Sequence, residues 1–115
     1  FQNIEGLMFL AKINTLQGKH KDAIETYKTI LFIDENYAPA LVERAGVHFA
    51  MSELDLSRTY FLKALKADPK SAQAELGLAR VAKQEKNTTE YNDRINRAKL
   101  LDPKLVQDET AAGKM

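Results

Sequence analysis

The sequence predicts an all-α fold built from three stacked helical hairpins, and three observations predict it. Apolar residues recur at helical spacing along nearly all of the 115 residues. Helix breakers are few, five glycines and three prolines, and the prolines fall outside the periodic interiors. Several positions also repeat at one interval. Pro69 and Pro103 stand 34 residues apart, and so do Asp34, Asp68 and Asp102. Ile30, Ala64 and Ala98 keep the same spacing, as do Tyr27, Phe61 and Ile95, and Glu35 takes the corresponding place before Pro69. Gap-free columns of this kind mark a repeated unit of supersecondary structure.

The elements follow in order. Ile4, Leu7, Met8, Leu10, Ala11, Ile13 and Leu16 outline a first helix, which Gly18-Lys19-His20 ends. Ala23, Ile24, Tyr27, Ile30, Leu31 and Ile33 outline a second. The turn signal Asp34-Glu35-Asn36 precedes a third helix from Ala38, whose first turn suits Pro39. That helix breaks near Ser52-Glu53, and a fourth runs from Leu54 to Ala67, where Asp68-Pro69 stops it. A fifth runs from Ala72 to about Gln84. A sixth runs from about Thr88 to Leu101, with Thr88 or Thr89 expected as its N-cap. Strand signals are weak, with no sustained alternation and no Asn-Gly or Asp-Gly turn. Six helices joined by short loops must lie antiparallel to their neighbours, as three hairpins.

A helix–turn–helix unit of this length resembles the tetratricopeptide repeat, whose pattern is a large residue, Leu-Gly, Tyr, Ala, Phe and Pro. The first unit answers with Leu7, Leu10-Ala11, Asn14, Ala23, Tyr27 and Glu35. The second answers with Leu41, Arg44-Ala45, His48, Ser57, Phe61 and Pro69, and the third with Glu75, Leu78-Ala79, Ala82, Tyr91, Ile95 and Pro103. The resemblance implies a right-handed α-solenoid of three stacked repeats over residues 1–103, bounded at about 4–37, 38–71 and 72–103. Residues 104–115 then form a C-terminal tail or partial capping helix. Ala11, Ala45 and Ala79 are small where paired helices cross, and Ala23 and Ser57 answer them on the second helix. Tyr27, Phe61 and Ile95 are large and fill the space between successive hairpins. Tyr91, Glu75 and Arg44 depart from the pattern. The third hairpin is therefore expected to be the loosest and the first to open, with no complete seventh helix to cover it. Ala111-Ala112-Gly113-Lys114-Met115 is expected to fray. The start at Phe1 reads as that of a fragment or processed chain.

Composition narrows the function. Hydrophobic residues make up 44% and charged residues 29%, which argues against a disordered chain. No apolar run is long enough to cross a bilayer, so no direct membrane insertion is expected. There is no cysteine, which removes disulfides, thiolate metal sites and cysteine nucleophiles. Ser52, Ser57 and Ser71 lie outside any nucleophile motif, the glycines are scattered, and His20 and His48 are far apart. No catalytic residue, cofactor or metal is expected. Seventeen basic and sixteen acidic residues leave a charge of +1, and Glu85, Glu90 and Asp93 interrupt the basic run of the third unit. Nucleic acid is therefore not the expected partner.

The resemblance implies instead a protein–protein interaction module, a scaffold or assembly-factor segment. Its first helices would line a concave groove that holds a peptide or a helix. The residues placed there are Glu5, Met8, Phe9 and Lys12, then Val42, Glu43, Gly46 and Phe49, then Gln73, Leu76, Arg80 and Lys83. Met8, Phe9, Val42, Phe49 and Leu76 form a partly apolar floor, although Phe49 and Leu76 read equally well as core. The family's clamp for chaperone tail carboxylates is disfavoured, because the corresponding places hold Met8, Lys12, Glu43, Gln73 and Gly77. The alternative is a structural segment that self-associates, as a homo-oligomer through uncapped ends, or stacks with further repeats.

Overall fold

The computed structural model describes residues 3–111. Its helices are α1 (Ile4–Leu16), α2 (His20–Ile33), α3 (Ala38–Ala50), α4 (Leu54–Ala67), α5 (Ala72–Gln84), α6 (Thr88–Leu101) and α7 (Pro103–Ala111). The first six pair as antiparallel hairpins, and the hairpins stack into a solenoid of 43 × 25 × 24 Å. Among the described residues there is no strand, and no helix is long and apolar enough to cross a membrane.

The repeat is visible in the backbone. Gly18, Ser52 and Lys86, one per hairpin turn, take left-handed conformations with φ of 75°, 61° and 60°. That twist lets the next amide reach back across the helix end. Lys19, Glu53 and Asn87 donate to the carbonyls of Asn14, His48 and Ala82 at 2.8, 2.9 and 2.9 Å. Between hairpins the aspartate column works as a turn. Oδ1 of Asp34 accepts from the Asn36 amide and Oδ1 of Asp68 from the Lys70 amide, each at 3.1 Å. Asp102 accepts from the Leu105 amide at 3.0 Å. The first two are turns that satisfy loop amides, and the third caps an amide that the start of α7 leaves without a partner. The sixth helix is capped by Asn87, whose Oδ1 accepts from the Glu90 amide at 3.1 Å, and not by Thr88 or Thr89. The left-handed residue Lys86 brings Asn87 to the helix entrance one residue earlier than expected.

Each hairpin's core is completed by the first helix of the following unit. Ala11, Ala23, Tyr27 and Ile30 pack with Ala40 and Val47 of α3. Ala45, Phe61 and Ala64 pack with Ala74, Leu78 and Val81 of α5. Leu76 and Ala98 pack with Val106 of α7. Ala11, Ala45 and Ala79 have no exposed surface, so the paired helices approach closely. Ser57 is equally buried and donates its hydroxyl to the Ala45 carbonyl at 2.9 Å, tying α4 to α3.

A nine-residue helix, α7, follows Asp102, where a tail and a partial capping helix were the two expectations. Its Val106 is buried against Leu76 and Ala98, so α7 covers part of the last hairpin. The looseness expected of the third hairpin is corrected for α5 alone: it is buried at Ala72, Ala74, Glu75, Leu76, Gly77, Leu78, Ala79, Val81 and Ala82, whereas α1 is buried only at Ala11 and α6 only at Ala98. Glu75 is tolerated because Arg94 of α6 donates to its carboxylate at 3.0 Å. The fraying expected of the last residues falls, beyond Ala111, outside the described residues.

A chain of charges joins the second and third hairpins. Arg58 of α4 meets Glu85 at 2.5 Å and Glu90 at 2.6 Å, and Arg94 meets Glu90 at 3.5 Å and Glu75 at 3.0 Å. The hydrogen bond from Arg58 holds the Glu90 carboxyl below the usual carboxylate range, and Glu90 in turn raises the Arg58 guanidinium.

Tyr27 supplies a test of burial. Its ring is 1% exposed. Burial pushes its phenol up to about 12, the nearby Glu43 carboxylate pushes the same way, and a hydrogen bond with Thr15 opposes them. A free phenol loses its proton near pH ~10, so the stability from this group is complete below that pH. It is lost as pH rises from there through the folded value of about 12. Tyr27→Phe is expected to flatten the decline of urea stability across that window relative to the parent chain. Parallel declines would show the phenol is not protected.

Candidate functional site

Three first-position helices, α3, α5 and α7, enclose a crevice of about 190 Å³ on one side of the solenoid. Residues three and four positions apart share a helical face, so Val42 and Glu43 join Gly46 in one wall. Gln73, Leu76, Gly77 and Arg80 form the opposite wall, and Leu105 and Glu109 close the end. Phe61, although it belongs to α4, supplies the base.

Glycine at two helix-interior positions makes this shape. A methyl group on Gly77 would lie 2.2 Å from the Phe61 ring, so the ring tip rests on the bare α5 backbone. Glycine inside a helix costs about 0.5–1 kcal/mol relative to alanine, and here the close approach of the ring requires it. Gly46 differs. A methyl group there would meet nothing within 4 Å, because it would point into the crevice.

The polar groups are unevenly satisfied. Arg80 is ion-paired with Glu109 across the α5–α7 junction. Its Nε is buried and has no hydrogen-bond partner among the described residues. Glu43 is half-buried and forms no ion pair or hydrogen bond among the described residues. The crevice thus offers an apolar base and one open carboxylate, beside a buried donor that lacks a partner. Among the described residues no group of three His, Asp or Glu side chains is arranged to hold a metal ion.

Of the groove residues read from the sequence, Val42, Glu43, Gly46, Gln73, Leu76 and Arg80 come together here. Glu5, Met8, Phe9, Lys12, Phe49 and Lys83 do not line this crevice. On α1, Met8 is half-buried against the first core cluster, and Phe9 is 69% exposed with Glu5 and Lys12 exposed beside it. Phe49 packs on the second cluster. Lys83 stands 5.9 Å over the Tyr91 ring, in a separate crevice between α5 and α6. Leu76 is corrected as an open anchor: it is 3% exposed, because Val106 of α7 packs on it. Leu105 and Glu109 were missed because the groove was read from the first helices of three units alone. The Phe61–Gly77 contact left one sign, a glycine inside a helix that is otherwise rich in good helix formers.

No family model matches the sequence, and no curated protein matches it either. Solved structures do match. The chain superposes on the type III secretion translocator chaperone SycD of Yersinia enterocolitica, in its alternative dimer, with a TM-score of 0.86. Identity there is 19%, over 96% of this chain and 86% of that one. The same chaperone in complex with a peptide of the translocator YopD gives 0.84 at 20% identity, over 95% and 86%. The first TPR of Spaghetti (RPAP3), bound to the HSP90 peptide SRMEEVD, gives 0.82 at 15% identity, over 97% and 94%. The fold is that of the tetratricopeptide repeat. In this tetratricopeptide solenoid α1, α3 and α5 are the first helices of their units. After Asp102, α7 takes the place of a first helix in turn.

Proposed function

We propose that the chain is a non-catalytic protein–protein interaction module that holds a peptide segment in the crevice between α3, α5 and α7. The observation that carries this reading is the pairing of unused polar groups with an apolar base. The buried Nε of Arg80 and the half-buried carboxylate of Glu43 flank the Phe61 edge. A buried donor without a partner costs about 1–3 kcal/mol, and a shift of the Arg80 side chain that brings it to a backbone carbonyl of a bound segment would recover that cost. Glu43 calls for a basic or amide group on the same segment, so the ligand is one of mixed polarity. Two of the superposed proteins were solved with peptides bound, which supports a peptide as the class of partner.

Gly46→Leu is the direct test, since the new side chain enters open space and leaves the core untouched. The variant should keep its helical circular dichroism and lose whatever protein the parent chain captures in a pull-down read by mass spectrometry. Undiminished capture by the folded variant moves the site elsewhere. A second reading, self-association, is favoured by large apolar side chains left in solvent: Leu16 is 81% exposed and Phe32 92%. Sedimentation of the intact chain separates the two readings, because only self-association gives a particle larger than one chain.

A further inference from the structure

A second crevice, of about 660 Å³, opens between α2 and α4 over α3 and shares no residue with the first. Its apolar floor includes Leu31, Leu41 and Ala67, and its polar wall is basic, with Arg44, Lys63 and Lys66. Glu35 is the one carboxylate in the lining. Among the described residues none of the three cations has a carboxylate within ion-pairing distance. Arg44 is half-buried, and its guanidinium stacks 4.1 Å from the centre of the Tyr60 ring. Its Nε contacts Nε2 of His48 at 3.4 Å, so the plane of the guanidinium is fixed from two sides. Its remaining N–H groups make no hydrogen bond among the described residues. The Lys63 ammonium lies 4.9 Å from the same ring. His48 stacks on Tyr60 with centroids 5.5 Å apart and bonds Glu53 at 2.8 Å, which braces the ring in turn.

A braced guanidinium with an open fork, two lysines beside it and an aliphatic floor together define a ligand. We propose that this crevice binds an acidic peptide segment, with carboxylates on Arg44, Lys63 and Lys66 and an apolar side chain against Leu31 and Leu41. The guanidinium fork matches a carboxylate in bidentate geometry. The volume is that of a ligand-sized site. Nucleic acid fits less well, because binding of single strands relies on open aromatic faces. The Tyr60 ring is already engaged by Arg44, Lys63 and His48. This site does not depend on the groove reading. With both occupied, one chain would bridge a mixed-polarity segment and an acidic one.

Fluorescence anisotropy with a labelled Glu-Leu-Glu-Glu-Leu-Glu peptide tests the proposal on the full chain. Binding should weaken with added salt and fall about tenfold for the matching Gln-Leu-Gln-Gln-Leu-Gln peptide. The Lys63→Glu/Lys66→Glu variant should also lose about tenfold, while Gly46→Leu binds as the parent does. Both lysines are exposed, and Lys66→Glu alone, with a loss of about threefold, keeps the test readable should the double variant fail to fold. The proposal is overturned if the parent does not bind the acidic peptide or binds the glutamine peptide equally well. It is also overturned if the lysine variants bind unchanged, if Gly46→Leu removes binding, or if labelled oligothymidylate binds in preference and is lost with the same lysines.

Discussion

Replacing Phe61 by alanine is expected to lower the unfolding free energy by about 3–5 kcal/mol, the range for emptying an aromatic core site. The ring is 5% exposed and packs among Leu41, Ala45, Ala74 and Leu78, so it joins the second hairpin to the first helix of the third. The loss should sit near the top of the range because the site collapses poorly: Gly77 has no side chain to move into the void. Urea denaturation measures it, and a loss under about 1 kcal/mol would place the ring outside the core. The contact with Gly77 adds a sharper reading. Gly77→Ala alone should destabilise, since its methyl would meet the ring at 2.2 Å. In a Phe61→Ala background the same change should stabilise, because alanine then gains its helical preference of about 0.5–1 kcal/mol and partly fills the void.

Arg94→Leu is the second large loss, also expected at about 3–5 kcal/mol, the cost of stranding a buried charge by removing its partner. The Glu75 side chain is 8% exposed and that of Arg94 16%, so water reaches neither well. Glu75→Leu combined with Arg94→Leu should recover most of the loss, since replacing both members of a buried pair by apolar groups is often neutral or better. A double-mutant cycle by chemical denaturation distinguishes this from simple lost packing, which would leave the two losses additive.

These two residues also show where the sequence was legible. The alanine column and the Tyr27 and Phe61 positions could be read because one interval governs both helix crossing and hairpin stacking. A residue in the column sees the same neighbours in each unit. Glu75 misled because its partner lies 19 residues away on another helix, and no local pattern records that pairing. The short α7 was legible only as one of two alternatives, because two and a half turns with one buried residue, Val106, carry little periodicity. The site was half legible for the same reason. The walls on α3 and α5 follow from helical phase, whereas the end wall depends on α7 and the base on Phe61 crossing beneath Gly77.

The chain of charges from Glu85 through Arg58, Glu90 and Arg94 to Glu75 has its own consequence. Among the described residues no ion pair crosses between the first and second hairpins, where Tyr27 and Ile30 meet Ala40 and Val47. In a linear array each boundary carries its own nearest-neighbour coupling. Here one coupling is purely hydrophobic and the next is hydrophobic with an ionic supplement. Concentrated sodium chloride screens the more exposed Arg58–Glu85 end of the ionic part more than the buried Arg94–Glu75 pair, whereas chilling weakens apolar cohesion at both boundaries. Cold is therefore expected to detach the leading hairpin before the trailing pair, and brine to narrow part of the gap. Cooperativity along this array is thus set by the solvent, boundary by boundary.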